Sequence, residues 1–189
     1  MPAVTDAGLR LRIPARRNFA HAARIITDRQ PATGRLKVWV LPGADDMRLY
    51  TPKGGQMEMD FQVSYQLGPG DPPELPASID LVFETHGETR PGPAPLSLTL
   101  RVAGAPVRLD ERPEPVRRSG ALVFHASAVK MSLAEFLSLV DASHVEGRWL
   151  GHDFVLLPSQ LEILRDLASR MGGANPESLR EMVVGVPGV

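Results

Sequence analysis

The chain has 189 residues, 43% of them hydrophobic and 5% aromatic, with a formal net charge of −1 and no cysteine. That length suits one domain with extensions and a buried core of its own. The missing cysteines exclude disulfides, thiolate metal sites, thiol nucleophiles and cysteine-linked haem, and no apolar run approaches the ~18 residues of a membrane-spanning helix.

Charge is spread unevenly. Residues 1–37 hold eight basic residues (Arg10, Arg12, Arg16, Arg17, Arg24, Arg29, Arg35, Lys37) against two acids, Asp6 and Asp28, for a net +6. The remainder holds 13 basic and 20 acidic residues, for a net −7. Such asymmetry points to a basic N-terminal arm, residues 1–35, on an acidic body. Arg16-Arg17-Asn18-Phe19 has the paired arginines of an export motif without the apolar run that follows one, so no signal peptide is expected in this chain.

The arm opens with a short alternation, Leu9 to Ile13, ended by Pro14. Phe19, Ala22, Ala23 and Ile26 then recur at i, i+3, i+4 and i+7, with Asn18 placed to cap them, which predicts one weak amphipathic helix. The body is expected to run from residue 36 to 171, followed by a tail over 172–189. Leu36–Leu41 reads as a strand and Met47–Tyr50 as a short one. Residues 57–67 alternate without a break: Met57, Met59, Phe61, Val63, Tyr65 and Leu67 are apolar, and Glu58, Asp60, Gln62, Ser64 and Gln66 are polar. Strand side chains alternate between faces, so this segment buries one face and wets the other. Ile79–Thr85 and Leu96–Val102 repeat the pattern between Pro/Gly loops. Val107–Leu109 is a short strand candidate, and Glu111–Gly120 is polar. Leu122–Val129 is a further strand, with Leu122, Phe124, Ala126 and Ala128 assigned to its apolar side.

The period then changes. Ser132 and Glu135 form a capping box before a stripe of Leu133, Phe136, Leu137 and Val140. Val145–Trp149 and His152–Leu157 predict a hairpin around Leu150-Gly151. Pro158 opens a second helix with Leu161, Leu164, Leu167, Ala168 and Met171 on one side, ended by Gly172-Gly173. Asn175 could start a third. These elements predict a mainly β, antiparallel β-sandwich-like domain with two α-helices near its C-terminus, immunoglobulin-like by analogy of architecture only.

No motif assigns chemistry. His144, Glu146, His152 and Asp153 are close in sequence, but the hairpin register sends His152 and Glu146 to opposite faces, so no metal site is expected. The same register pairs Arg148 with Asp153. His125 is expected to be a half-exposed strand residue, His86 a turn residue, and His21 part of the arm. Met57 and Met59 belong to a buried face, which leaves Met47 without thioether partners for copper(I). Asp45-Asp46 sit in a turn. Phosphate loops and nucleophile motifs are missing, and Gly68-Pro69-Gly70 runs into Asp71-Pro72-Pro73 instead of a helix. The reading is therefore a non-enzymatic protein without a cofactor. The expected function is an accessory or structural subunit that docks on a larger, membrane-bound assembly such as a respiratory or photosynthetic complex. Arg10, Arg12, Arg16, Arg17, Phe19 and Arg24 are its candidate partner-binding residues, toward protein partners or an anionic membrane surface. Nucleic acid is not expected, because the folded body is acidic. The alternative is a soluble β-sandwich that binds a small ligand or carbohydrate in its loops.

Overall fold

The computed structural model describes residues 10–11, 13–14, 17–41, 48–49, 58–69, 75–87, 97–107, 109–113, 117–119, 122–172 and 182–183. In chain order the strands are β1 (Arg10–Leu11), β2 (Arg24–Arg29), β3 (Leu36–Leu41), β4 (Arg48–Leu49), β5 (Glu58–Leu67), β6 (Ser78–Gly87), β7 (Thr99–Val102), β8 (Ala105–Pro106), β9 (Asp110–Pro113), β10 (Arg117–Ser119) and β11 (Leu122–Ser132). Helix α1 (Leu133–Asp141), the hairpin β12 (Val145–Trp149) and β13 (His152–Val155), helix α2 (Pro158–Ser169) and β14 (Met182–Val183) follow. The domain is mainly β, with two antiparallel sheets and two helices in the C-terminal half.

The larger sheet runs β10-β11-β6-β5-β3-β2, with β4 beside β5 and β9 beside β11. The smaller one runs β13-β12-β7-β8, and β1 pairs with β14 separately. The alternation of residues 57–67 is realised over the described part: Met59, Phe61, Val63, Tyr65 and Leu67 are buried, while Gln62 and Gln66 are exposed. Met57 lies outside the described residues. Phe83 of β6 connects the sheets. Its ring lies 5.9 Å from Phe61 on its own sheet, and 6.1 Å and 5.9 Å from Trp149 and Phe154 on the smaller one.

The helices complete the cover. Ser132 accepts from the Glu135 backbone while Glu135 returns a carboxylate to the Ser132 backbone, the predicted capping box. The last turn of α1 carries no basic residue of its own. Arg165 of α2 supplies one, donating to the carbonyls of Val140 and Ala142 at 3.0 and 2.8 Å, where helix carbonyls lack partners. Leu161, Leu164, Leu167, Ala168 and Met171 are buried as the stripe predicts.

Tyr65 ties α2 to the sheet by donating its hydroxyl to the Leu167 carbonyl at 2.9 Å. Burial pushes its phenol well above the ordinary tyrosine range; Arg170 opposes this and Asp166 adds to it. Unfolded, the phenol titrates near pH ~10. Its contribution to stability is therefore full below that pH and is lost as pH rises toward the folded value. In an ultraviolet phenolate titration Tyr65 should resist ionisation past the pH at which an exposed tyrosine has titrated. Tyr65→Phe should abolish that late step and cost about 0.5–1.5 kcal/mol in chemical denaturation.

Several elements differ from the sequence reading. Residues 24–29 form a strand where a helix was predicted. Ile25, Ile26 and Thr27 are β-branched, and six consecutive residues pair with β3, from Arg24 opposite Leu41 to Arg29 opposite Leu36. The sheet therefore begins at Arg24, inside the stretch assigned to the arm. In β11 the faces are the reverse of those predicted: Val123, His125, Ser127, Val129 and Met131 are buried, and Phe124, Ala126 and Ala128 are half-buried on the other side. Residues directly opposite in an antiparallel pair share a face. Ser127 opposes Phe83, Val129 opposes Leu81 and Met131 opposes Ile79, so the larger apolar residues at the end of β11 set the phase. His86 lies within β6 with its backbone opposite Phe124, not in a turn. Of the expected strand Val107–Leu109, the described residues Val107 and Leu109 lie outside any strand; the pairing residues are Ala105–Pro106 before them and Asp110–Pro113 after them. Strand β9 begins at Asp110 and runs into the polar 111–120 stretch, and β10 lies within it, each along β11. The third helix expected from Asn175 lies outside the described residues. Among the described residues no helix is long and apolar enough to cross a membrane.

Candidate docking surface

The arm does not leave the body at once. Glu162 and Asp166 stand one turn apart on α2, on one face of the helix. Arg17 donates to both oxygens of Glu162 at 3.2 and 3.0 Å. Its guanidinium also lies 5.0 Å over the Phe19 ring, and that ring stacks on His21 at 6.3 Å between centroids. The His21 side chain is 5% exposed, with Nε2 3.4 Å from Asp166 Oδ2. Neither ring nitrogen makes an aligned hydrogen bond. This approach becomes an ion pair only when the imidazole is protonated, and Arg170 already holds Asp166 at 3.1 Å.

Of the sequence candidates, Arg17 and Phe19 are thus brought together against α2. Arg24 is exposed at the start of β2. The Arg10 backbone pairs with Val183 in the separate β1–β14 ladder. Arg12 and Arg16 lie outside the described residues. The acidic partners Glu162 and Asp166 were not singled out from sequence; their i, i+4 spacing beside the apolar stripe was the available signal. Also unforeseen was that the arm leads into an edge strand. Beyond β3, β2 has no neighbour in the sheet among the described residues.

Two other polar groupings stand apart from the arm. On the smaller sheet the turn Leu150-Gly151 has both residues at positive φ, 51° and 82°, the hairpin geometry that matches strand twist. Trp149 then opposes His152, and Arg148 opposes Asp153, with an ion pair of 3.7 Å as the register predicts. Arg101 reaches Glu146 at 4.0 Å and His144 approaches the same carboxylate at 3.7 Å. Arg101, Glu146, Arg148 and Asp153 border a cleft of about 730 Å³ that also meets Leu98, Leu100, Val107 and Phe154. Among the described residues no three histidine, aspartate or glutamate side chains converge as metal ligands.

The second grouping lies between the sheets. His125, expected to be half-exposed, is buried with Ser127 and Thr85. The corrected phase of β11 places His125 opposite Thr85. Ser127 donates its hydroxyl to Glu111 at 2.7 Å, and the Leu98 backbone donates to the other Glu111 oxygen at 2.9 Å. Glu111 is therefore a strut from β11 to the start of β7, and its contacts make the serine a satisfied buried hydroxyl. Glu111→Ala should cost about 1–3 kcal/mol in urea unfolding, because it leaves a buried hydroxyl and an amide without their acceptor; Glu111→Gln, which keeps one carbonyl oxygen, should cost less.

No protein-family model, curated protein or solved structure matches this chain.

Proposed function

We propose that the protein is a non-catalytic accessory subunit that docks on a larger, membrane-associated assembly through its N-terminal arm. The observation that supports this reading is the path of the arm. Arg17 is held by Glu162, and the chain then enters the open edge strand β2 with Arg24 exposed. Arg17 already has an intramolecular carboxylate, so docking charge falls to Arg10, Arg12, Arg16 and Arg24. The N-terminal segment 1–16 then supplies the long-range attraction, whose strength should fall with ionic strength.

The test is a deletion of residues 1–16, which spares both the Arg17–Glu162 contact and β2. Co-sedimentation with native membranes should drop at least about tenfold and the full-length signal should weaken with added salt. Equal binding by the truncated chain would reject the reading. Parallel assays on vesicles with and without anionic lipid separate attraction to lipid from attraction to protein.

A second reading is favoured by the cleft on the smaller sheet. Its apolar floor and paired charges suit a small ligand with both apolar and polar parts. A thermal-shift screen of the 1–16 deletion would support it if a ligand raises the melting temperature and Arg148→Ala removes that rise.

A further inference from the structure

Strand β2 carries opposite charges near its two ends, Arg24 and Asp28, the latter opposite Lys37 of β3. Arg24 and Asp28 are four residues apart, so they project from the same face of the strand, and both are exposed. Among the described residues neither has an ion-pair partner. Ile26 lies midway between them on that face and is half-buried. It sits opposite Trp39 of β3, and Arg24 sits opposite Leu41. Leu41 is 43% exposed, one of two large hydrophobic residues among those described that face solvent to this degree. The open edge thus has an apolar centre with a positive charge at one end and a negative charge at the other.

We propose that β2 pairs antiparallel with β2 of a second copy of this chain, about a two-fold axis through Ile26. This inference does not rest on the docking reading above; in the dimer Arg24 is taken up by the second copy, and docking charge is left to Arg10, Arg12 and Arg16. In that register Ile26 meets its own counterpart and Ile25 faces Thr27 of the other copy. Arg24 faces Asp28 of the other copy, and the symmetry makes that pair twice. Directly opposite unlike charges stabilise a strand pair, and like charges destabilise it. A shift of one residue would set Arg24 against Arg29, so the charges select one register. Arg29 itself is turned onto its own hairpin, donating to the Gly34 carbonyl at 3.1 Å.

Charged edge strands ordinarily discourage pairing. Here the charges are self-complementary, so they exclude other strands more than they exclude a second copy. The partner's main chain would satisfy the outward amides and carbonyls of β2. Ile26 would leave water at the axis, with Trp39 and Leu41 of each copy alongside. One six-residue strand per copy buries less than a standard stable interface, so the dimer should be concentration-dependent, with dissociation in the range of roughly micromolar.

The test is sedimentation of the full-length chain and of two charge variants over a concentration series. The wild type should rise to twice the monomer mass. Arg24→Asp and Asp28→Arg should each weaken association at least about tenfold, since each sets two like pairs in place of two unlike ones. An equimolar mixture of the two variants should recover the dimer, because every pair is then unlike. Asp28 also opposes Lys37 within the chain, so Asp28→Arg could disturb the fold. Ile26→Cys provides a measurement that does not depend on it. The chain has no cysteine of its own, so any disulfide formed must join the introduced thiols across the axis, where strand spacing permits one. Thr27→Cys, whose counterpart is Ile25, should cross-link far more slowly. A wild type that stays monomeric throughout, or Ile26→Cys cross-linking no faster than Thr27→Cys, overturns the proposal. So does a dimer that survives Arg24→Asp at unchanged affinity.

Discussion

Phe83→Ala is expected to destabilise the protein by about 3–5 kcal/mol, read as a lower midpoint in guanidinium unfolding. Phe83 is 1% exposed and its ring meets Phe61, Trp149 and Phe154. Two of those three rings belong to the smaller sheet. Truncation therefore opens a cavity at the place where the sheets touch, and the surrounding backbone is held by ladders on both sides. A domain stability of about 5–15 kcal/mol would lose a large part of its total. Phe83→Leu keeps most of the volume and should cost less. Phe61→Ala, in contact with Phe83 on the same sheet, should couple with Phe83→Ala rather than add to it.

The second large effect is expected at Gly147. Its neighbours across the smaller sheet are Leu100 and Phe154, and both side chains lean over the position a Cβ would take. A Cβ there would lie 2.7 Å from Phe154 Cε2 and 2.8 Å from Leu100 Cδ2. The Phe154 ring cannot withdraw freely, because Phe83 lies against it. Gly147→Ala should cost about 1–3 kcal/mol by overpacking, and Gly147→Val more. Combining Gly147→Ala with Phe154→Leu, which removes the obstructing ring edge, should cost less than the two changes summed. An additive result would place the strain elsewhere.

The expected and observed elements agree best where two local signals coincide. Residues 132–171 combine a capping box, a two-residue turn, Pro158 and apolar stripes, and the helices and hairpin form as read. The Arg148–Asp153 ion pair followed from the turn alone, because a two-residue loop leaves one register. Agreement fails where a pattern admits two phases or two periods. In β11, Leu122, Phe124 and Ala126 offer one apolar side, and Val123, Val129 and Met131 offer the other. The latter set is buried, with Val129 and Met131 facing Leu81 and Ile79 of β6. Burying that face carries His125 and Ser127 inside, where Glu111 accepts the serine's hydroxyl. At Phe19–Ile26 the helical spacing is outweighed by the β-branched run Ile25-Ile26-Thr27 and by the ladder to β3.

The docking candidates divide in the same way. Composition located the basic segment, but its electrostatic partner lies about 145 residues away in sequence, as Arg17 with Glu162 shows. Spacing along the chain carries no record of such a contact.

By itself the sequence determined the antiparallel class, the buried face of β5, the hairpin at Leu150-Gly151 and the capped helices. Each depends on side-chain alternation, turn chemistry or end-capping within a few residues. Only the tertiary structure decided which face of β11 is buried, that residues 24–29 are an edge strand, and that Arg17 is held against α2. Those outcomes depend on what lies opposite in space, where burial and charge pairing between distant segments outweigh a local preference of a few tenths of a kcal/mol per residue.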